Sequence, residues 1–312
     1  SQPPGKCKKN QHTNKVTMNR FHWLEAKQLD RVTNFSTETE PIKYALANNI
    51  DAFYYCTFAK TRNYFGLKGN IIYLGWFKNR LIKAVEFHLR VVFRTLFIVF
   101  RERNSVIMVN QDLIKRVMPA VFLNKIFKRN NRFITDIRTT PTIPETFHKD
   151  MKLFHARFKR AVHHFNGFSF ITSFMERYIM GNYNLTTYRS VNWSSGVDIG
   201  LFNPENYPGK KPGGSFRIFY HGGISISRGN LDLIKAVEII KNEGFDVELV
   251  QVGISVDKEI GAYIKEKGIA SWCRLNPPVP INEIPALIAQ CDLPLLPFPD
   301  FMAWRVSSPI KL

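Results

Sequence analysis

Along the chain, short apolar runs rich in Val, Ile, Phe and Tyr alternate with longer stretches in which apolar positions recur three and four residues apart. The first pattern predicts strands and the second helices. Strands are expected at 32–36, 52–57, 70–75, 105–110, 132–136, 167–172 and 190–193, with helices at 41–48, 78–103, 113–128, 145–164 and a short one ending near 180. A second series places strands at 216–220, 247–252, 271–275 and 293–297, and helices at 230–242, 257–267 and 281–289. Such alternation is the mark of βαβ units on a parallel sheet. The predicted fold class is therefore α/β, with two doubly wound, Rossmann-like domains.

Between the two series runs a turn-rich segment, 203–214, carrying Asn203, Pro204, Pro208, Gly209, Gly213 and Gly214, and it reads as a linker. The expected organisation is a polar, basic extension at 1–30, a first domain at 31–202, the linker at 203–214 and a second domain at 215–312. The second series stops mid-pattern at Leu312, so this domain is expected to be incomplete.

Composition narrows the field. The chain has 312 residues, of which 45% are hydrophobic, which excludes a disordered chain and a disulfide-stapled miniprotein. Lys and Arg number 44 against 25 Asp and Glu, a formal charge of +19. Residues 206–312 hold 12 of the basic and 11 of the acidic side chains, so +18 lies in residues 1–205. An anionic partner is expected on the first domain. The four cysteines are scattered and form neither a metal-binding cluster nor a disulfide framework, which fits a reducing cytosol. No zinc finger or RNP-like strand is present, so nucleic acid is not the expected partner.

The stretch 81–100 is apolar enough to suggest a membrane, but Lys83, Glu86, Arg90 and Arg94 interrupt it and argue against a spanning helix. On a helix, Lys83, Arg90, Arg94 and Arg101 are spaced 7, 4 and 7 apart and fall within about 20° of one line. Phe93, Phe97 and Phe100 occupy much of the remaining surface. Two readings stay open: a helix lying on an anionic membrane face, its cations on lipid phosphates, or a core helix with a solvated charged edge.

Chemistry is most legible at 216–230, where a strand runs into Gly222-Gly223 and then Arg228-Gly229 before a helix. Glycines let backbone N–H groups approach phosphate, a helix N-terminus favours negative charge, and an Arg can fork onto a diphosphate. The same residues also suit a plain tight turn with a solvated Arg. The pieces around them, taken in order, resemble the donor domain of GT-B glycosyltransferases of the family 4 type. The junction Ser195-Gly196-Val197-Asp198 through Phe202-Asn203-Pro204 is similar to the family's "NGVD…F.P". Arg228-Gly229 stands at its phosphate-binding Lys/Arg-Gly, the strand from Val247 to Gly253 at its "ELVIVG", and Pro278-Val279 through Glu283-Ile284-Pro285 at its "V…EIP". Gln290-Cys291-Asp292-Leu293-Pro294-Leu295-Leu296-Pro297 resembles its "ADI.L.P" strand, and Ser307-Ser308-Pro309-Ile310-Lys311-Leu312 its "SSP.KL". In the first domain, Phe170 to Tyr178 resembles the acceptor domain's strand-to-helix step.

That resemblance implies a retaining transferase that moves a sugar from a nucleoside diphosphate sugar to a glycan or lipid-linked acceptor, without a metal or other cofactor. It implies donor contacts at Gly222, Gly223, Arg228, Gly229, Val279, Ser308, Pro309 and Lys311. The family's additional Arg in a "GRL" turn is replaced here by Gly222-Gly223-Ile224, and Val306 stands where the family has one of its two Glu residues; the other falls beyond Leu312. These departures keep a second class open, a GT-B-shaped scaffold with a degenerate donor site. On the acceptor side, Asp136 and Arg138 follow a strand at the sheet edge where doubly wound folds bind ligands, and are the expected catalytic candidates. Asp136 either orients an acceptor hydroxyl or pairs with Arg138; Glu38 and Glu40 are similar candidates.

Overall fold

The structure, a computed structural model, describes residues 20–27, 36–57, 67, 69–75, 80–255 and 257–308. The side chain of Lys83, and Pro309 and Lys311 entirely, lie outside the described residues, as does most of the strand expected at 32–36.

A seven-stranded parallel sheet forms the first part. Its strands are β1 (Arg20–Leu24), β2 (Asp51–Cys56), β3 (Ile71–Tyr73), β4 (Val106–Asn110), β5 (Arg132–Ile137), β6 (Gly167–Phe170) and β7 (Ser190–Asn192), in the order β3-β2-β1-β4-β5-β6-β7. The chain winds outward from β1 to β3, returns beside β1 as β4, and continues the other way. β1 is therefore an interior strand, paired with β2 and β4, although the sequence pattern assigns residues 1–30 to a polar extension. Its five residues, Arg20-Phe21-His22-Trp23-Leu24, carry a charge and an imidazole among three apolar side chains, so no apolar run marks them. Burial makes sense of the imidazole: His22 is 1% exposed, with Nδ1 at 3.0 Å from Tyr55 Oη and Nε2 at 2.8 Å from a Glu102 carboxylate oxygen.

Helix α1 (Ser36–Ala47) packs on one face of this sheet, where Trp23, Ile42, Tyr54, Met108 and Ile134 form a core. The opposite face carries α2 (Arg80–Arg101), α3 (Ile114–Ile126) and α4 (Phe147–His164). Strand periodicity serves both layers, since along β5 Phe133 joins one core and Ile134 the other. Helix α5 (Ser173–Met180) starts at Thr172, whose Oγ1 accepts a hydrogen bond from the Met175 N–H and so satisfies a free helix donor.

The second sheet has four parallel strands, β8 (Phe216–His221), β9 (Val247–Val252), β10 (Cys273–Asn276) and β11 (Leu293–Pro294), in the order β10-β9-β8-β11. Between them run α6 (Asn230–Asn242), α7 (Lys258–Glu266) and α8 (Ile284–Ala289). A last short helix, α9 (Met302–Arg305), leaves the second sheet and buries Ala303 and, one residue on, Val306 in the core that α4 and α5 form in the first part.

In α2, Phe87, Val91, Ile98 and Val99 face the sheet, each contributing about 1.5–3 kcal/mol by burial. The cationic line on this helix is only partly realised as expected. Arg90 pairs with Glu86 at 2.8 Å, and Arg101 is exposed beside Phe97. Arg94 instead turns inward, donating from Nη2 to Tyr55 Oη at 3.0 Å, because the β2 tyrosine reaches the boundary between the buried and exposed faces. Most of the outer face is apolar: Val85, Leu89, Phe93, Phe97 and Phe100 are all exposed, Phe93 at 67%. With Ile72, Tyr73 and Leu74, the residues Val85, Leu89, Phe93 and Phe97 of this face line an open groove of about 1070 Å³. No helix among the described residues is long and apolar enough to cross a membrane.

Candidate active site

In a doubly wound sheet the crevice for a ligand opens at the carboxyl ends of the two strands between which the winding reverses. In the second sheet those strands are β8 and β11, and the glycine-rich turn leaves β8 at that point. Gly222 adopts φ 129° and donates its N–H to Val252 O at 2.9 Å, which holds the turn over β9. The chain approaches closely enough that a Cβ at Gly253 would meet Gly222 O at 1.8 Å. Gly229, at φ 77°, is the residue before α6, and a Cβ there would meet Pro297 O, beyond β11, at 1.8 Å. Gly253, at φ 153°, and Gly229 are therefore required by contact as well as by dihedral angle.

Two buried amides brace the turn from below. Asn230 accepts from the Ser225 N–H at 3.0 Å and donates from Nδ2 to Gln251 Oε1 at 2.9 Å. Tyr220, whose phenol burial pushes up and Arg228 pulls back down, donates to Gly223 O at 2.6 Å. Arg228 lies against Gly223, and its guanidinium sits 5.5 Å from the Trp304 ring centroid and 5.8 Å from that of Phe298. No ion pair to a carboxylate engages it among the described residues, so its charge is available to an anion.

Beside the turn, His221, Gly222, Gly223, Val252, Gly253 and Val279 are among the residues lining a mainly apolar pocket of about 130 Å³. The structure thus brings Gly222, Gly223 and Val279 to one cavity and sets Arg228 and Gly229 at the adjoining turn. Ser308 is half-buried two residues beyond Val306. The aromatic pair Phe298 and Trp304 was not legible as part of this site, since it meets Arg228 from about 70 residues further along the chain.

In the first sheet the winding reverses between β1 and β4. Three carboxylates gather near the carboxyl ends of the strands: Glu25 after β1, Glu38 in the first turn of α1, and Asp136 in β5, none more than 8% exposed. Tyr54 donates to Glu25 at 2.7 Å, and Lys27 pairs with Glu38. Burial pushes Glu38 up against the pull of Lys27. Burial likewise pushes Asp136 up, to about 6, with Glu25 adding to the effect and Arg138 and Ser169 opposing it. Glu40, by contrast, is exposed and pairs with Lys43. Glu25 and Lys27 escaped the sequence pattern because β1 did.

Asp136 and Arg138 do not form the ion pair that their spacing allows. Asp136 accepts from Ser169 Oγ at 2.5 Å, and that same oxygen accepts from Trp193 Nε1 at 2.6 Å. Arg138 donates to Trp193 O at 2.7 Å and Ser195 Oγ at 3.0 Å, and its guanidinium stacks 4.0 Å above the Trp193 ring. Both residues therefore fix the segment at 193–195. Asp136 is 2% exposed, enclosed beneath this segment. Among the described residues no three His, Cys, Asp or Glu side chains come together as metal ligands.

Two parallel doubly wound sheets, with a glycine-rich turn at the reversal point of the second, define the GT-B architecture. Similar solved structures include HepE from Anabaena in complex with UDP and glucose, with a TM-score of 0.60 at 14% identity, covering 88% of this chain and 73% of that one. The lipopolysaccharide outer core galactosyltransferase WaaB, in its apo form, gives 0.60 at 12% identity over 90% and 76% of the two chains. The α,α-trehalose 6-phosphate synthase of Burkholderia multivorans gives 0.57 at 12% identity over 89% and 77%. At these identities the likeness is one of fold. No protein-family model matches the chain, and no curated protein does.

Proposed function

We propose that the protein is a glycosyltransferase that moves a sugar from a nucleoside diphosphate sugar to an acceptor hydroxyl. The observation that carries this reading is Arg228, a cation without a carboxylate partner among the described residues, held at the Gly222-Gly223 turn beside an apolar pocket. The pocket suits a flat nucleobase, the turn and the start of α6 suit the diphosphate, and Arg228 stabilises the negative charge that grows on the departing nucleoside diphosphate. In this reading those groups carry the leaving-group charge and no metal is required. The presence of UDP and glucose in HepE, which shares the fold, is consistent with such a donor.

The resemblance to family 4 supports transfer with retention at the anomeric carbon. On the acceptor side, Asp136 and Arg138 fix Trp193 and Ser195, and in this reading act on the acceptor through that segment. The same resemblance extends the donor contacts to Ser308, Pro309 and Lys311. The acceptor is a glycan or a lipid-linked glycan. An anionic membrane on the cytosolic side is supported by the +18 charge of residues 1–205 and by the apolar outer face of α2, rimmed by Arg90 and Arg101. The test is incubation with UDP- and GDP-sugars and a panel of glycan and polyprenyl-linked acceptors. Nucleoside diphosphate release and the anomeric configuration of the product, by NMR, are then read. Transfer with retention, persisting in EDTA, is expected; release of nothing from any donor overturns the reading in favour of a scaffold.

A further inference from the structure

The segment 298–306 belongs to neither sheet and touches both parts of the protein. Toward the first part, Ala303 and Val306 are 2% and 4% exposed inside the core formed with Phe147, Met175 and Ile179. Phe301 meets the Phe147 ring edge-on at 4.8 Å between centroids, and Thr172 Oγ1 donates to Val306 O at 2.7 Å. Toward the second part, Trp304 donates from Nε1 to Ser227 O at 3.3 Å and stacks on Phe298 at 4.3 Å. Ser227 immediately precedes Arg228, and both rings lie within 6 Å of the Arg228 guanidinium.

We infer that Trp304 is a positioning residue for Arg228, and that the seat of the 301–306 segment on the first domain is what holds Trp304 there. This deepens the donor reading given above and rests on it. An arginine on a glycine-rich turn has four side-chain torsions, and Gly223 and the Tyr220 phenol restrict them in part. The aromatic pair adds a further restriction while leaving the charge without a carboxylate partner among the described residues. Ring faces attract a guanidinium without neutralising it, so the cation stays available to a diphosphate. Four of the six residues from 301 to 306 (Phe301, Met302, Ala303 and Val306) pack into the first domain's core, and Trp304 is the one that reaches the turn. Unseating the segment therefore frees Arg228 even though no donor-site side chain has changed. By linkage, an anion that binds the held form of Arg228 favours the seated segment to the same extent.

The test compares the full chain with Trp304→Ala, Trp304→Phe and Ala303→Glu, the last of which alters only the seat. Without nucleotide, phenylglyoxal labelling of Arg228 is followed by peptide mass spectrometry. It is expected to be slow in the parent and in Trp304→Phe, and several-fold faster in Trp304→Ala and Ala303→Glu. UDP titration of the same proteins is expected to show Kd raised about tenfold in Trp304→Ala and Ala303→Glu and largely restored in Trp304→Phe. Should Trp304→Ala fail to fold, Trp304→Leu keeps the bulk against Phe298 without a π face and must release Arg228 as well. Unchanged labelling in both Trp304→Ala and Ala303→Glu overturns the inference. If the parent binds no nucleotide while the labelling pattern holds, the donor reading fails and the positioning of Arg228 stands.

Discussion

Replacing Gly229 by alanine probes the turn at its tightest point, and a second glycine supplies the control. Gly229 and Gly213 both sit at positive φ, 77° and 91°, where an L-residue costs about 1–2 kcal/mol. They differ in surroundings. A Cβ at Gly213 meets nothing within 4 Å, whereas at Gly229 it would lie 1.8 Å from Pro297 O, which belongs to backbone and cannot rotate away. Relieving that overlap means separating the start of α6 from the chain beyond β11, an overpacking cost of about 1–3 kcal/mol. Alanine also stiffens the unfolded chain, which returns about 0.4–1 kcal/mol in both variants. Gly213→Ala is thus expected to cost about 1 kcal/mol and Gly229→Ala about 2–4 kcal/mol. Urea unfolding followed by circular dichroism reads the difference as a shift in midpoint at unchanged slope. UDP affinity should fall in Gly229→Ala alone. Equal midpoints for the two variants would show that the approach of Pro297 to the turn is not as close as described.

Three further outcomes follow from the same geometry. A carboxyl raised to about 6 in the folded state favours folding below its unfolded value near 4 and loses that contribution as pH rises through 6; relative to the parent, Asp136→Asn should therefore gain up to about 3 kcal/mol between pH 4 and pH 7, read by denaturant unfolding at each pH. Glu102, which His22, Ser105 and Arg20 hold down at about 2 against the opposing effect of burial, contributes stability above its ordinary value near 4.5 that is lost as pH falls toward 2, so the parent's acid-induced loss in that window should be largely missing from Glu102→Gln. On α2, Phe93→Glu should leave the melting temperature unchanged, because the ring is exposed, yet reduce sedimentation with phosphatidylglycerol vesicles about tenfold or more; equal sedimentation removes the membrane from the account.

Much of this architecture was legible in the hydrophobic pattern, and the failures have physical causes. β8 and β9 are mostly apolar and lie between glycine turns, so they fall where the pattern puts them. β1 did not, because its polar His22 is satisfied by Tyr55 and Glu102, partners about 30 and 80 residues away. Missing β1 also hid Glu25, and with it the carboxylate cluster. Helical spacing sets Arg90, Arg94 and Arg101 near one line of α2, but which of them turns inward depends on Tyr55, in a strand the helical period does not describe. At the donor site the turn itself was visible as glycines and one arginine. Its aromatic backing was not, because Phe298 and Trp304 meet Arg228 only through the crossing of a segment seated in the other domain.

The most direct test of the central claim is a calorimetric titration of the full chain with UDP and with GDP, each repeated on Arg228→Ala. The account predicts that one nucleotide binds selectively and that the substitution weakens it at least tenfold, the loss of a charge-assisted fork onto diphosphate. Binding of neither nucleotide, or affinity indifferent to Arg228, would contradict it.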